Sequence, residues 1–187
     1  LNEGYAIYRP RYILPDYNVY IEKGCKFLEL PAPKNLDDVL DGLLILYSHV
    51  PSITTFPVYI GRLDVLLDPF ITDEEQDYIK IKRFLNHVDK TVPDSFCHAN
   101  IGPYDTKAGR LILKAVIELE APTPNMTIRY DKSKTSREFA ELAAKACLLV
   151  SKPSFANDAY YISDLGEQYG IASCYNALPE CGGAYTL

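Results

Sequence analysis

The feature that most restricts this chain is an alternation that runs through most of its length. Capped amphipathic stripes of helical period are separated by short apolar runs without that period. Asn35 stands as an N-cap, with Asp37 and Asp38 in the first turn where the helix dipole favours negative charge. Leu36, Val39, Leu40, Leu43, Leu44 and Tyr47 then follow a stripe of period 3.6, which Pro51 is expected to stop. A short helix is predicted over residues 62–68. Thr72 and Glu75 read as a capping box for a helix with Ile79, Phe84, Leu85 and Val88 on its apolar face. Leu111, Ile112, Ala115, Val116 and Leu119 mark the next helix. Thr135 and Glu138 form a second box, followed by Phe139, Leu142, Ala143, Ala146 and Val150, with Pro153 just beyond. Strand-like runs lie between, at residues 58–60, 96–101, 126–130 and 170–175, with a weaker one at 26–30. Strands alternating with helices predict a mixed α/β architecture around a parallel-leaning sheet or barrel. Residues 1–187 read as one continuous piece, without internal repeats or a long linker.

Composition narrows the function classes. Apolar residues make up 48% and charged residues 24%, which excludes disorder and collagen-like repeats. With 19 basic against 25 acidic side chains, there is no basic stripe to attract phosphates, so neither nucleic acid nor a membrane surface is an expected partner. The longest apolar run, residues 43–47, is far shorter than the roughly 20 residues of a membrane helix, and no signal-like segment opens the chain. The five cysteines (Cys25, Cys97, Cys147, Cys174 and Cys181) form no CxxC pair, which argues against a zinc ribbon and suits a reducing cytoplasm. Beginning at Leu1 and ending in an apolar run, the sequence is expected to be a fragment of a longer protein.

Three stretches can carry chemistry; in one of them, residues 50–61, the hydroxyls could contact a ligand, the alternative being that a Ser and Thr run between prolines is a turn. Residues 169–183 run from a small apolar strand through Cys174 into a polar, Gly-rich turn. A loop at a strand end is where a scaffold presents ligand-facing groups; the alternative is that Cys174 is a small buried hydrophobe. In Phe96-Cys97-His98-Ala99-Asn100-Ile101-Gly102-Pro103, period two puts His98 and Asn100 on one face and Cys97 and Ala99 on the other. A polar face on a buried strand needs hydrogen-bond partners. A substrate is one candidate. The alternative has His98 donating to a backbone carbonyl and Asn100 capping the turn at Gly102. A metal site would need Cys97, His98, Cys174 and Cys181 to converge from distant elements, so none is expected.

The residues also resemble a known family. Tyr8-Arg9-Pro10-Arg11-Tyr12-Ile13-Leu14-Pro15-Asp16-Tyr17 is similar to the opening of the shared part of the YjjI family of glycyl radical enzymes. So are Leu36-Asp37-Asp38, His49-Val50-Pro51-Ser52, Pro57-Val58-Tyr59-Ile60-Gly61, Lys80-Ile81-Lys82-Arg83-Phe84 and His98-Ala99-Asn100-Ile101-Gly102-Pro103. The likeness continues to Ser173-Cys174-Tyr175-Asn176 and to Leu178-Pro179.

The resemblance implies part of a ten-stranded α/β barrel, shared with pyruvate formate-lyase and anaerobic ribonucleotide reductase. It implies a barrel-loop cysteine, here Cys174, that becomes a thiyl radical and takes hydrogen from a small organic substrate of unknown identity. The partner radical would sit on a glycine of a C-terminal loop absent from this chain. It would be installed by a separate activating enzyme that uses S-adenosylmethionine and an iron–sulfur cluster. His98, Asn100, Tyr175 and Asn176 become candidate substrate contacts, and Cys181 a rival thiol without an assigned role. No cofactor is expected on this chain itself, and a homodimer is left open. An anaerobic ribonucleotide reductase-like enzyme, a thiol hydrolase pairing Cys174 with His98, and a non-catalytic ligand-binding module remain the competing readings.

Overall fold

A computed structural model describes residues 17–26, 28–54, 57–92, 97–166, 169–172 and 176–179. Helix α1 (Tyr17–Lys23) and helix α2 (Leu36–Thr54) lead into strand β1 (Val58–Arg62). Then come α3 (Leu63–Leu67), one turn of 3-10 helix (Asp68–Phe70), α4 (Glu74–Thr91) and β2 (Cys97–Ile101). They are followed by α5 (Lys107–Leu119), β3 (Asn125–Tyr130), α6 (Arg137–Val150), β4 (Ser154–Asn157) and α7 (Asp158–Leu165). A hairpin of β5 (Tyr169–Ala172) and β6 (Asn176–Pro179) completes the described chain.

Strands β1 to β4 form one parallel sheet in the order of the sequence. Parallel crossovers are right-handed almost without exception, so strands added one after another in the same direction send their connecting helices to the same face. The packing agrees. Val58 and Ile60, Cys97, Ala99 and Ile101, and Met126 and Ile128 all lie in one apolar core with the stripes of α2, α4, α5 and α6. Leu43 and Tyr47, Ile81 and Leu85, Ile112 and Val116, and Phe139 and Ala143 are its helical half, each fully buried. Burying a side chain of this size stabilises the fold by roughly 1.5–3 kcal/mol. The opposite face carries Tyr59, His98, Asn100, Thr127 and Arg129, all equally buried. The mixed α/β expectation holds, as does the division of β2 into two faces. Four strands in a row are an open sheet, however, and among the described residues there is no closed ten-stranded barrel.

Local chemistry accounts for the departures from the sequence reading. Asn35 does cap α2, its side-chain oxygen accepting from the Asp38 N–H at 3.0 Å. The caps of α4 and α6 each fall one residue later than expected. Asp73 accepts from the Glu75 and Gln76 amides, and Asp77 reaches back to the amides of Thr72 and Asp73. Ser136 accepts from Phe139, while Thr135 takes the Asp131 amide instead. Asp and Ser are the better caps where they compete with an adjacent Thr. Pro51 lies within α2 rather than stopping it, and the helix runs only three residues beyond it, to Thr54. Ile79 is 46% exposed; the buried stripe of α4 runs through Ile81, Phe84, Leu85 and Val88. Where a strand was expected over residues 26–30, the described residues form an isolated bridge between Cys25 and Leu30. Helices α1 and α7 and strands β4 and β6 were not anticipated.

At the top of the sheet, buried Asp64 ties the start of α3 to the turn after β2. Its Oδ2 accepts from the Gly102 N–H at 2.9 Å and from the Thr106 hydroxyl at 3.2 Å. Burial outweighs these hydrogen bonds and raises its pKa from 3.8 to about 6. The unfolded chain therefore ionises this carboxyl first as pH rises, and between about pH 4 and pH 6 the folded state holds the extra proton. Asp64 thus contributes a loss of stability with rising pH across that window. The expected outcome is that the stability of the wild type, measured by urea unfolding relative to Asp64→Asn, falls from about pH 4 to pH 6. A pH-independent difference would contradict this.

Candidate active site

The polar face of the sheet is the candidate site, and its first property is that a second structure occupies it. Asn100, at 0% exposure, extends from β2 to the backbone of β5. Its Nδ2 donates to the Ile171 carbonyl at 2.8 Å, and its Oδ1 accepts from the Ile171 N–H at 2.9 Å. The same Oδ1 accepts from the Tyr59 hydroxyl at 2.7 Å, which fixes the orientation of the carboxamide. Tyr59 also lies tightly under β5. A Cβ added to Gly170 would come within 2.1 Å of the Tyr59 hydroxyl oxygen, so only glycine lets the two meet.

Next to this clamp lies a buried ion pair. Arg129 on β3 donates from Nε to Asp158 Oδ1 at 2.8 Å, and from Nη1 to the Tyr169 carbonyl at 3.2 Å. The Tyr169 hydroxyl donates to the same Asp158 oxygen at 2.7 Å, and the guanidinium lies over the Tyr169 ring, 4.0 Å from its centroid. Lys134 adds a longer contact to Asp158 Oδ2 at 3.5 Å. Burial alone would raise the pKa of Asp158, but the bonds from Tyr169 and Arg129 overcome it and hold the carboxyl below the usual carboxylate range. Burial, and then the bond to that carboxylate, push Tyr169 well above the ordinary phenol value. The group is therefore an ionised pair with a neutral phenol, a fixed electrostatic anchor without a proton to give near neutral pH. A small apolar cluster of Ala156, Tyr169 and Ile171 against Tyr161, Ile162 and Leu165 of α7 seals it.

The expected site residues are distributed as follows. His98 and Asn100 share the polar face, and Tyr47 donates to the His98 carbonyl at 3.1 Å from the core side. Gly102, which the alternative reading paired with Asn100, donates instead to Asp64. Asn176 opens β6 opposite Ala172. Cys174, Tyr175 and Cys181 lie outside the described residues, with Cys174 and Tyr175 falling in sequence between the two paired strands. Cys97 is in the apolar core, on the other face from His98. Among the described residues no group of three or more His, Cys, Asp or Glu side chains is gathered for a metal, and no helix is long and apolar enough to cross a membrane. The sequence reading missed Tyr59, Gly170 and the Arg129–Asp158–Tyr169 group. Arg129 following Asn125 and Thr127 on the alternate positions of β3 was the available signal for the last of these, and a glycine within a strand the signal for Gly170.

Comparison with known proteins gives a consistent picture. The family model for glycyl radical enzymes of the YjjI-like type matches residues 1–187. An uncharacterized protein of Haemophilus influenzae is 92% identical over all 187 residues of this chain. The uncharacterized protein YjjI of Escherichia coli is 47% identical over 99% of the chain. The chain spans only 36% of the length of each.

Removing one member of a buried pair leaves the other charge uncompensated, at a cost of about 3–5 kcal/mol. Arg129→Met should therefore destabilise the protein by that order, and adding Asp158→Asn should restore part of the loss. Urea unfolding of both single variants and the double variant measures this. Strict additivity of the two losses would contradict the coupling.

Proposed function

This chain belongs to the YjjI-like glycyl radical enzyme family, and from that premise we propose that it supplies the barrel wall and the thiyl cysteine of such an enzyme. Its four parallel strands in sequential order, with helices on one face, are the arrangement a larger α/β barrel requires of a segment of its wall. The polar face is then the barrel interior. The observation that carries the reading is the β5–β6 hairpin, bonded to this interior face by Asn100 and Arg129, with Cys174 in sequence between its strands.

The chemistry suits a thiol in that place. A glycyl Cα radical takes the hydrogen atom of the Cys174 S–H: a C–H bond forms, the S–H bond breaks and no charge moves. The thiyl then takes a hydrogen atom from a substrate C–H and returns it at the end of the turnover, after which the glycyl radical is restored. Such steps need a thiol held in place away from water, and no depressed pKa. His98, Tyr175 and Asn176 are proposed as the groups nearest a small organic substrate. The radical is proposed to come from a separate activating enzyme that uses S-adenosylmethionine and an iron–sulfur cluster, in an oxygen-free cytoplasm.

A test that requires no known substrate follows from the hydrogen transfer. If the S–H exchanges with solvent and the glycyl and thiyl radicals interconvert, deuterium from D2O must reach the glycyl Cα. Deuteration there collapses the doublet in the electron paramagnetic resonance spectrum. The full-length enzyme, activated anaerobically, should lose its doublet splitting in D2O. Cys174→Ala should form the doublet and keep it split, while Cys181→Ala should behave as the wild type. Collapse in Cys174→Ala at the wild-type rate would refute the assignment.

A further inference from the structure

The most informative feature the proposed chemistry does not use is the carboxamide of Asn100. We propose that Asn100 is a positioning residue for the Cys174 hairpin, its side chain serving as a third strand along the free edge of β5. This rests on the reading of Cys174 as the thiyl residue.

In an antiparallel ladder a residue directs both its N–H and its C=O to the same side. Ile171 pairs in register with Ala177 of β6, yet its own N–H and C=O are both engaged by Asn100, on the side away from β6. Ile171 is 5% exposed, so without Asn100 both groups would be buried without a partner. The next outward-facing group along that edge, the Tyr169 carbonyl, is taken by Arg129 Nη1 at 3.2 Å. Three successive backbone groups of β5 are therefore bonded to side chains of two different sheet strands, and no backbone strand pairs there among the described residues.

A primary carboxamide does this from position 100 at any pH. It offers a donor and an acceptor at the spacing of a peptide group. A carboxylate of the same size would set a second acceptor against the Ile171 carbonyl, and a methyl would offer nothing. Gly170 and Tyr59 act in the same direction, since β5 settles against the sheet only where the Cβ is missing. Ile171 is three residues before Cys174, a reach of at most ~10 Å along the chain. A shift of the strand is thus passed to the thiol over a short lever, and a misplacement of 1 Å in a reacting atom costs about 10²-fold in rate. Asn100 therefore acts on the reaction through the backbone that carries the cysteine, and its own amide is committed to that task.

The test uses the full-length enzyme, activated anaerobically, with D2O as the probe. In Asn100→Ala and in the near-isosteric Asn100→Leu the glycyl doublet should form, and its collapse in D2O should slow by about 10- to 100-fold. Hydrogen exchange on the same proteins before activation supplies a readout independent of the radical. The amide of Ile171 should exchange at least tenfold faster, with the amides of α5 and β3 keeping their protection. Collapse at the wild-type rate in a folded variant overturns the proposal, and so does unchanged exchange at Ile171. Loss of protection in α5 and β3 in both variants also overturns it, because Asn100 would then be a general core residue. If Cys174→Ala collapses as fast as the wild type, the thiyl reading itself has failed, and an unchanged Ile171 amide is then what separately decides against the role of Asn100.

Discussion

The structure depends on one polar contact, the carboxamide of Asn100 against the peptide groups of Ile171. A helix or strand can leave its neighbour by a small slide of apolar side chains. The free edge of a buried strand has no such freedom, because each unpaired N–H or C=O costs about 1–3 kcal/mol. Asn100 removes two such costs at once and aligns the strand in doing so. Around it the sequence has adapted on three strands: Tyr59 fixes the amide, Gly170 allows the close approach, and Arg129 holds the carbonyl two residues before Ile171.

This explains why the sheet has two such different faces. On the helix-covered side the strands present Val, Ile, Ala, Met and a cysteine, side chains held by close packing. The other side buries a tyrosine, a histidine, an asparagine, a threonine and an arginine, which stabilises nothing unless their hydrogen bonds are met. A parallel sheet with one apolar and one polar buried face is a poor arrangement for a self-contained core. It is a good one for a wall that holds another element in a fixed place. The ionised Arg129–Asp158 pair fits the same purpose, since buried pairs contribute little net stability but tolerate few alternative geometries.

Much of this was legible in the sequence, and the limits were physical. Period alone separated His98 and Asn100 from Cys97 and Ala99, because neighbouring side chains of a strand must point to opposite faces. What Asn100 bonds to was not legible: its partner lies 71 residues away, and no local pattern encodes a tertiary hydrogen bond. The helix caps were displaced by one residue because two adjacent capping side chains compete and the stronger acceptor wins at Asp73 and Ser136. Strand β4 escaped notice since its four residues include only one buried position, too few to show a period. The role proposed for Cys174, whose sequence neighbours include no activating base, came from the family resemblance and not from local physics.

The proposed enzyme stands or falls on whether the polar face of this sheet is an interior surface that receives the Cys174 hairpin. A crystal structure of the full-length enzyme tests it most directly. Further strands should close around that face, with the Asn100 carboxamide bonded to both backbone groups of Ile171 and the Cys174 thiol inside the enclosed cavity. A hairpin packed elsewhere, with Asn100 facing solvent or bonded to other groups, would contradict it.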